Sequence, residues 1–209
     1  MSGSVHLLEA FGLKVGYPGG RVVDVPDFFV DAGDFLCITG ANGTGKTTLL
    51  KTLAGIIPAQ GGRIAWRRGG AAVGYLPQQG PSQRDFPASV REVVRSGCQA
   101  TRLFRPFYTA AERRRADRAM VRLGIDSLAS RSYQELSGGQ RQRALIARAI
   151  AAPRDILLLD EPTAALDAET TAELEKILSD LSRQGIAIVM VTHEEAQVKA
   201  FASRTLRLV

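Results

Sequence analysis

Residues 40–47, Gly-Ala-Asn-Gly-Thr-Gly-Lys-Thr, fit the pattern G-x-x-x-x-G-K-[ST]. That spacing suits one task, holding phosphate. Glycines at positions 40, 43 and 45 let the backbone fold round an anion with no Cβ in the way. The cradle comprises Gly40, Ala41, Asn42, Gly43, Thr44, Gly45, Lys46, Thr47 and Thr48. Lys46 brings positive charge to the outer phosphates of a nucleotide, and the Thr47 hydroxyl suits Mg²⁺. The run DFLCITG before the loop reads as a strand, and GKTTLLKTLAG reads as a helix closing on Gly55 and Pro58. A chance glycine-rich turn would lack those flanks.

Three further stretches carry chemistry. ILLLDEP, residues 156–162, is an apolar strand tipped by two acids. Asp160 is placed to hold Mg²⁺ through water, and Glu161 to face a water in line with the last phosphate. Alone, the pair could be a solvated strand end; beside a phosphate loop it reads as catalytic. VMVTH ends a second apolar strand in His193, which could hydrogen-bond the γ-phosphate and hold that water, or could merely cap the next helix. LSGGQRQR, residues 136–143, places Ser137, Gly138, Gly139 and Gln140 at the start of a helix, where free backbone amides attract an anion. One chain thus carries two phosphate-binding segments.

These segments must be positioned by an α/β architecture. HLLEAFGLKVGY and RVVDVPDFFV read as strands of an N-terminal antiparallel sheet, and GRIAWRR and AAVGYLPQ as further strands. From about residue 80 the pattern turns helical, through ASVREVVRSGCQ, TAAERRRADRAMVRLG and SGGQRQRALIARAIAAP. Alternation returns with DILLLDEP, a helix from LDAETTAELEKILSDLSRQG, the strand IAIVMVTH, a helix EEAQVKAFA and the strand RTLRLV. The expectation is an α/β, P-loop NTPase core with an antiparallel β region, about residues 1–79 and 153–209. A helical subdomain, about 80–152, is inserted in it.

Composition bounds the setting. No window is long and apolar enough to cross a membrane, and MSGSVHLLEA has no signal-peptide core, so the chain is expected to be cytoplasmic. Cys37 lies in an apolar strand and reads as a buried free thiol. The net charge of +6 suits nucleic acid, an anionic membrane surface or plain solvation. Seven arginines between Arg102 and Arg122 face only Glu112 and Asp117. Nothing there alternates bases with aromatics as a nucleic-acid platform does, so headgroup attraction, partner docking and a solvated helix face stay open.

The order P-loop, YLPQ, LSGGQ, LLLDE, AALD, VTH resembles the nucleotide-binding subunit of ATP-binding cassette (ABC) transporters, over nearly the whole chain. The resemblance implies ATP and Mg²⁺ as ligands and a head-to-tail dimer, or a pair with a second cassette. In such a pair each ATP lies between one copy's P-loop and the other's LSGGQ helix. It further implies that Tyr17 stacks on adenine and that Gln78, rather than Gln79, touches Mg²⁺ and the attacking water. Asp167 would contact the partner cassette. Where the family often has serine this chain has Ala164, so a cross-dimer hydrogen bond from that side chain is lost.

A narrower likeness lies in GYLPQQGPSQRDFPASVREVV, which is similar to bacterial manganese and zinc importer cassettes. The implied partners are a multi-span permease and, indirectly, an extracytoplasmic solute-binding protein, at the cytoplasmic face of the membrane. Alternatives are a soluble cassette ATPase on ribosomes or DNA, disfavoured by the single P-loop and the lack of heptads, and a lipid or lipoprotein machine. A switch GTPase is disfavoured because no Asn-Lys-x-Asp segment is present. RTLRLV closes the chain, so no regulatory C-terminal domain is expected.

Overall fold

The computed structural model describes residues 6–67, 72–78, 87–98, 107–151, 154–164 and 166–209. The first elements in chain order are β1 (Leu8–Val15), β2 (Val23–Asp24), β3 (Phe28–Val30), β4 (Phe35–Thr39), α1 (Lys46–Leu53), β5 (Gly61–Trp66) and β6 (Val73–Leu76). Three helices come next, α2 (Val90–Ser96), α3 (Ala110–Arg122) and α4 (Gly138–Ile150). The chain then forms β7 (Ile156–Asp160), α5 (Ala168–Arg183), β8 (Ala187–Val191), α6 (Glu195–Phe201) and β9 (Arg204–Arg207). Contacts divide it into two compact units, Met1–Pro77 with Arg154–Pro162 and Leu178–Val209, and Gln78–Pro153 with Thr163–Ile177.

The first unit holds two sheets. In the antiparallel one, β1 pairs with β2 and β3 along one edge and with β5 along the other. The run RVVDVPDFFV, expected as one strand, is two short ones. Pro26 has no N–H to give a ladder, so regular pairing stops beside it, although the Val25 amide still donates to the Leu13 carbonyl at 2.8 Å. The other sheet is parallel, in the order β6-β7-β8-β4-β9. Every residue of β7 and β8 is buried, which is why both read as unbroken apolar runs. Leu8, Leu13, Leu49, Leu50, Leu158 and Val189 belong to one core that joins both sheets and α1.

Register sets the functional edge. Ile38 of β4 and Asp160 of β7 both pair with Val191 of the intervening β8. Three strands therefore end in one row, and the segments after them emerge on the same side. Crevices beyond the carboxyl ends of parallel strands are where open α/β sheets bind ligands.

The second unit is helical. Ser89, Thr109 and Ser137 each cap a helix through a reciprocal pair with Glu92, Glu112 and Gln140, so each start is written locally. Val90, Val93 and Val94 of α2, Ala116, Ala119 and Met120 of α3, and Ala144, Leu145 and Ile146 of α4 are buried. At Gly97 a Cβ would sit 1.9 Å from the Arg148 carbonyl oxygen; only glycine permits this approach of α2 to α4. Cys37 and Cys98 are both buried thiols. Burial pushes the Cys37 thiol up to about 11, which leaves it unreactive at neutral pH.

Candidate active site

The phosphate loop joins β4 to α1. Gly40 has φ +148°, and a Cβ there would lie 2.4 Å from the Leu208 carbonyl oxygen and 2.9 Å from Thr44 Oγ1. That position requires glycine. Thr44 closes the turn, its hydroxyl donating to the Ala41 carbonyl at 3.0 Å. Helix α1 begins after Gly45 with no side-chain cap and no acid in its first turn. Its amides keep their positive end of the helix dipole toward the loop, as an anion site needs.

Lys46 is buried and reaches back across the loop, donating from Nζ to the carbonyls of Gly40 at 2.9 Å and Ala41 at 2.7 Å. Desolvation lowers its pKa from the ordinary lysine value, while the charges of Glu161 and Asp160 oppose that shift. Thr47, one residue on, donates from its hydroxyl to Asp160 Oδ1 at 3.2 Å. Asp160 is 1% exposed at the tip of β7, so hydroxyl and carboxylate form an oxygen pair at the foot of the loop.

Glu161 comes directly after and is the non-glycine residue with positive φ, +49°, among those described. Its amide donates to the Val191 carbonyl at 3.2 Å, and its Oε1 lies 2.9 Å from His193 Nε2. The left-handed turn swings the carboxylate out of the strand line and toward the end of β8. Holding a glutamate in this region costs on the order of 1 kcal/mol, and such strain gathers at working sites. Glu161→Gly should therefore raise unfolding stability by about 1 kcal/mol in a denaturant titration while removing the carboxylate. A loss of stability would mean that the His193 contact outweighs the backbone strain.

His193 does not cap α6. Glu194 is the N-cap residue of that helix and makes no side-chain cap. The turn is fixed instead by Thr192, whose hydroxyl donates to Gln197 Oε1 at 2.6 Å and accepts from the Glu194 amide at 3.1 Å. The imidazole is left to face Glu161. Tyr17, half exposed beyond β1, accepts from Lys51 Nζ at 3.0 Å through its hydroxyl. Sequence reading passed over Lys51, although it lies one helical turn beyond Thr47 and Thr48 on α1.

The second unit holds the remaining residues. Ser137 and Gly138 are exposed at the start of α4, with Ser137 Oγ accepting from the Gln140 amide at 3.3 Å. Gln140 Oε1 accepts from the Ser137 amide at 3.0 Å. Asp167 uses its carboxylate at home, accepting from the Thr170 amide at 2.8 Å at the start of α5. Those bonds to Thr170 hold its carboxyl below the usual carboxylate range. Gln78 is exposed just past β6. Gln79 lies outside the described residues, as does Arg102 with the start of the arginine-rich stretch.

A parallel sheet with a glycine loop leading into a helix, a lysine across the loop and acids at the tip of β7, beyond the intervening β8, defines a P-loop nucleoside-triphosphate-binding protein. Residues 23–164 match the family model described as ABC transporter. The chain is 33% identical over 204 residues to the zinc transport system ATP-binding protein AdcC of Streptococcus pneumoniae, covering 94% of this chain and 87% of that one. It is 36% identical over 217 residues to the hemin import ATP-binding protein HmuV of Streptomyces coelicolor, covering 97% and 74%. A chain from the inward-facing conformation of a transporter assigned to the metal-chelate type superposes with TM-score 0.87 at 35% identity, covering 97% and 80%. The chain belongs to the ABC transporter family, as an ATP-binding subunit that hydrolyses ATP. Among the described residues no helix is long and apolar enough to cross a membrane.

Proposed function

We propose that two copies of this chain close head to tail on two ATP molecules, and that hydrolysis there drives import of zinc or manganese through a multi-span permease. The observation that carries the dimer is the bare start of α4. Among the described residues, a Cβ on Gly138 would meet nothing within 4 Å, and one on Gly139 would meet only Leu166 and Thr170 side chains, at 3.8 and 3.9 Å. Nothing in the packing of the described residues calls for glycine there, and glycine in a helix is costly. Two such glycines beside an exposed serine suit a surface onto which another molecule's phosphate comes down close to the backbone.

In this reading Lys46 and the amides of residues 40–47 hold the triphosphate, and Tyr17 stacks on the adenine. The residues present fit Mg²⁺, since the buried Asp160 carboxylate and the Thr47 hydroxyl are hard oxygen donors side by side. Bound there, Mg²⁺ would neutralise charge on the phosphate oxygens. Glu161 takes or polarises the proton of the attacking water, and His193 holds Glu161 and the water in line. Gln78 reports the site to the helical unit. Ser137, Gly138, Gly139 and Gln140 serve the partner's nucleotide, and the loop of Asp167 meets the partner.

The DFPASV phrase and the zinc-transport relative support a metal cation as cargo. The hemin-import relative and the metal-chelate transporter support a second reading, a chelated metal. Either way the chain would sit at the cytoplasmic face of the membrane, fed indirectly by an extracytoplasmic binding protein. Purification with candidate permeases tests this. ATP turnover should rise severalfold with one permease, and uptake into vesicles should track free zinc or manganese rather than hemin. Turnover indifferent to every metal and chelate permease would defeat the cargo assignment.

A further inference from the structure

Strand β6 carries a polar group that has no part in the site as assembled so far. Parallel pairing sets Tyr75 opposite Leu158 of β7 and Leu76 opposite Leu159. Paired residues of a parallel ladder share a face, and so do alternate residues of one strand. Tyr75, Leu158 and Asp160 thus lie on one face, the tyrosine one strand over and one pair back from the aspartate. The Tyr75 ring packs against the core that holds Leu49, Leu50 and Leu158. Its hydroxyl oxygen is buried with no hydrogen-bond partner among the described residues.

A buried hydroxyl without a partner is unfavourable, and phenylalanine would give the same ring packing without it. Burial foremost, then the charges of Asp160 and Tyr17, push the phenol above its ordinary range, so it stays a proton donor. Asp160 stands at the foot of the phosphate loop and Tyr17 bonds Lys51 of α1, and the hydroxyl lies within electrostatic reach of both. Strand spacing and rise put the Asp160 Cα roughly 8 Å from that of Tyr75, within the combined reach of a tyrosine and an aspartate side chain.

We propose that Tyr75 is a further residue of the nucleotide site, its hydroxyl donating a hydrogen bond to the hydrated Mg²⁺–triphosphate group beside Asp160. This rests on the proposed nucleotide site and adds to it the tyrosine of the YLPQ stretch, on the strand that leads to Gln78.

Tyr75→Phe removes one oxygen and keeps the ring. The whole chain and this variant are compared by thermal unfolding without nucleotide and by titration calorimetry with ATP in Mg²⁺ and in EDTA. The variant should be as heat-stable as the parent or more so. Its affinity for ATP with Mg²⁺ should fall about tenfold, the loss expected for a hydrogen bond to a charged group. In EDTA the loss should stay below about twofold. Equal losses in both conditions, or none in either, overturn the assignment. So does a drop in heat stability with unchanged affinity, since the hydroxyl would then have a structural partner. If the parent chain itself bound no ATP, the nucleotide-site reading would fall, and this one with it.

Discussion

Glu161→Gln should stop repeated turnover and leave ATP-bound dimers that outlast gel filtration. Glutamine has the shape of glutamate, so the left-handed backbone at φ +49° and the 2.9 Å approach to His193 Nε2 can both be kept. What goes is the ability to take a proton from water. General-base assistance contributes about 10²- to 10⁴-fold, so steady-state ATP hydrolysis should fall at least about 100-fold. Lys46, Thr47, Asp160 and the loop amides are untouched, so ATP should still bind. If hydrolysis is what releases the pair, the variant should accumulate as dimer with ATP and revert to monomer with ADP, as light scattering can read. Turnover within about tenfold of the parent would show that the carboxylate is not the base. Loss of ATP binding would show instead that the substitution had disturbed the loop.

Much of this site is written in short local stretches, for a physical reason. A phosphate loop needs glycines, a lysine and a hydroxyl at fixed spacing, because consecutive backbone amides do the binding. A buried parallel strand must be apolar to its tip, so Asp160 and Glu161 stand out by contrast. What cannot be read locally is register. That Ile38, Val191 and Asp160 form one row depends on strand order β7-β8-β4, which no short segment encodes. His193 could have been a helix cap or a site residue; the Thr192–Gln197 pair, which leaves the imidazole to face Glu161, is a choice among polar partners that only the folded turn makes. Glu161's backbone angle, the Lys51 contact to Tyr17 and the stranded Tyr75 hydroxyl likewise emerge only with the fold. Pro26 shows the converse, a plain local signal that splits an apolar run.

Asp167 is instructive differently. Resemblance assigns it a contact with a partner, while the geometry gives its carboxylate to the first turn of α5. The two are compatible if the cap fixes the loop that meets the partner, and the charge itself is then not the contact. Resemblance reports where a residue matters, and structure reports through which atoms.

Gly138→Ala separates folding from function most sharply. A methyl at this position meets nothing within 4 Å among the described residues, and the backbone is not in the left-handed region. Alanine in place of glycine in a helix is worth about 0.5–1 kcal/mol, so the isolated chain should unfold at a higher temperature or denaturant concentration. ATP affinity of the monomer should be unchanged, because the phosphate loop lies in the other unit. Yet the added methyl would stand where the triphosphate held by a second copy must come against the α4 amides. Losing amide contact to a developing phosphate charge costs about 2.7–4 kcal/mol in comparable oxyanion sites, so turnover should drop about 100-fold or more. ATP-dependent dimers should weaken in parallel. Mixed dimers sharpen the test. With Gly138→Ala in one chain and Lys46→Ala in the other, the working P-loop of the first chain faces the unaltered α4 of the second. One composite site stays intact, and the pair should keep up to half of the parental rate. With both substitutions in one chain beside an unmodified chain, each composite site has one damaged half, and the pair should be inactive. The opposite ranking would mean that α4 serves its own chain's nucleotide, and the head-to-tail pairing would have to be abandoned.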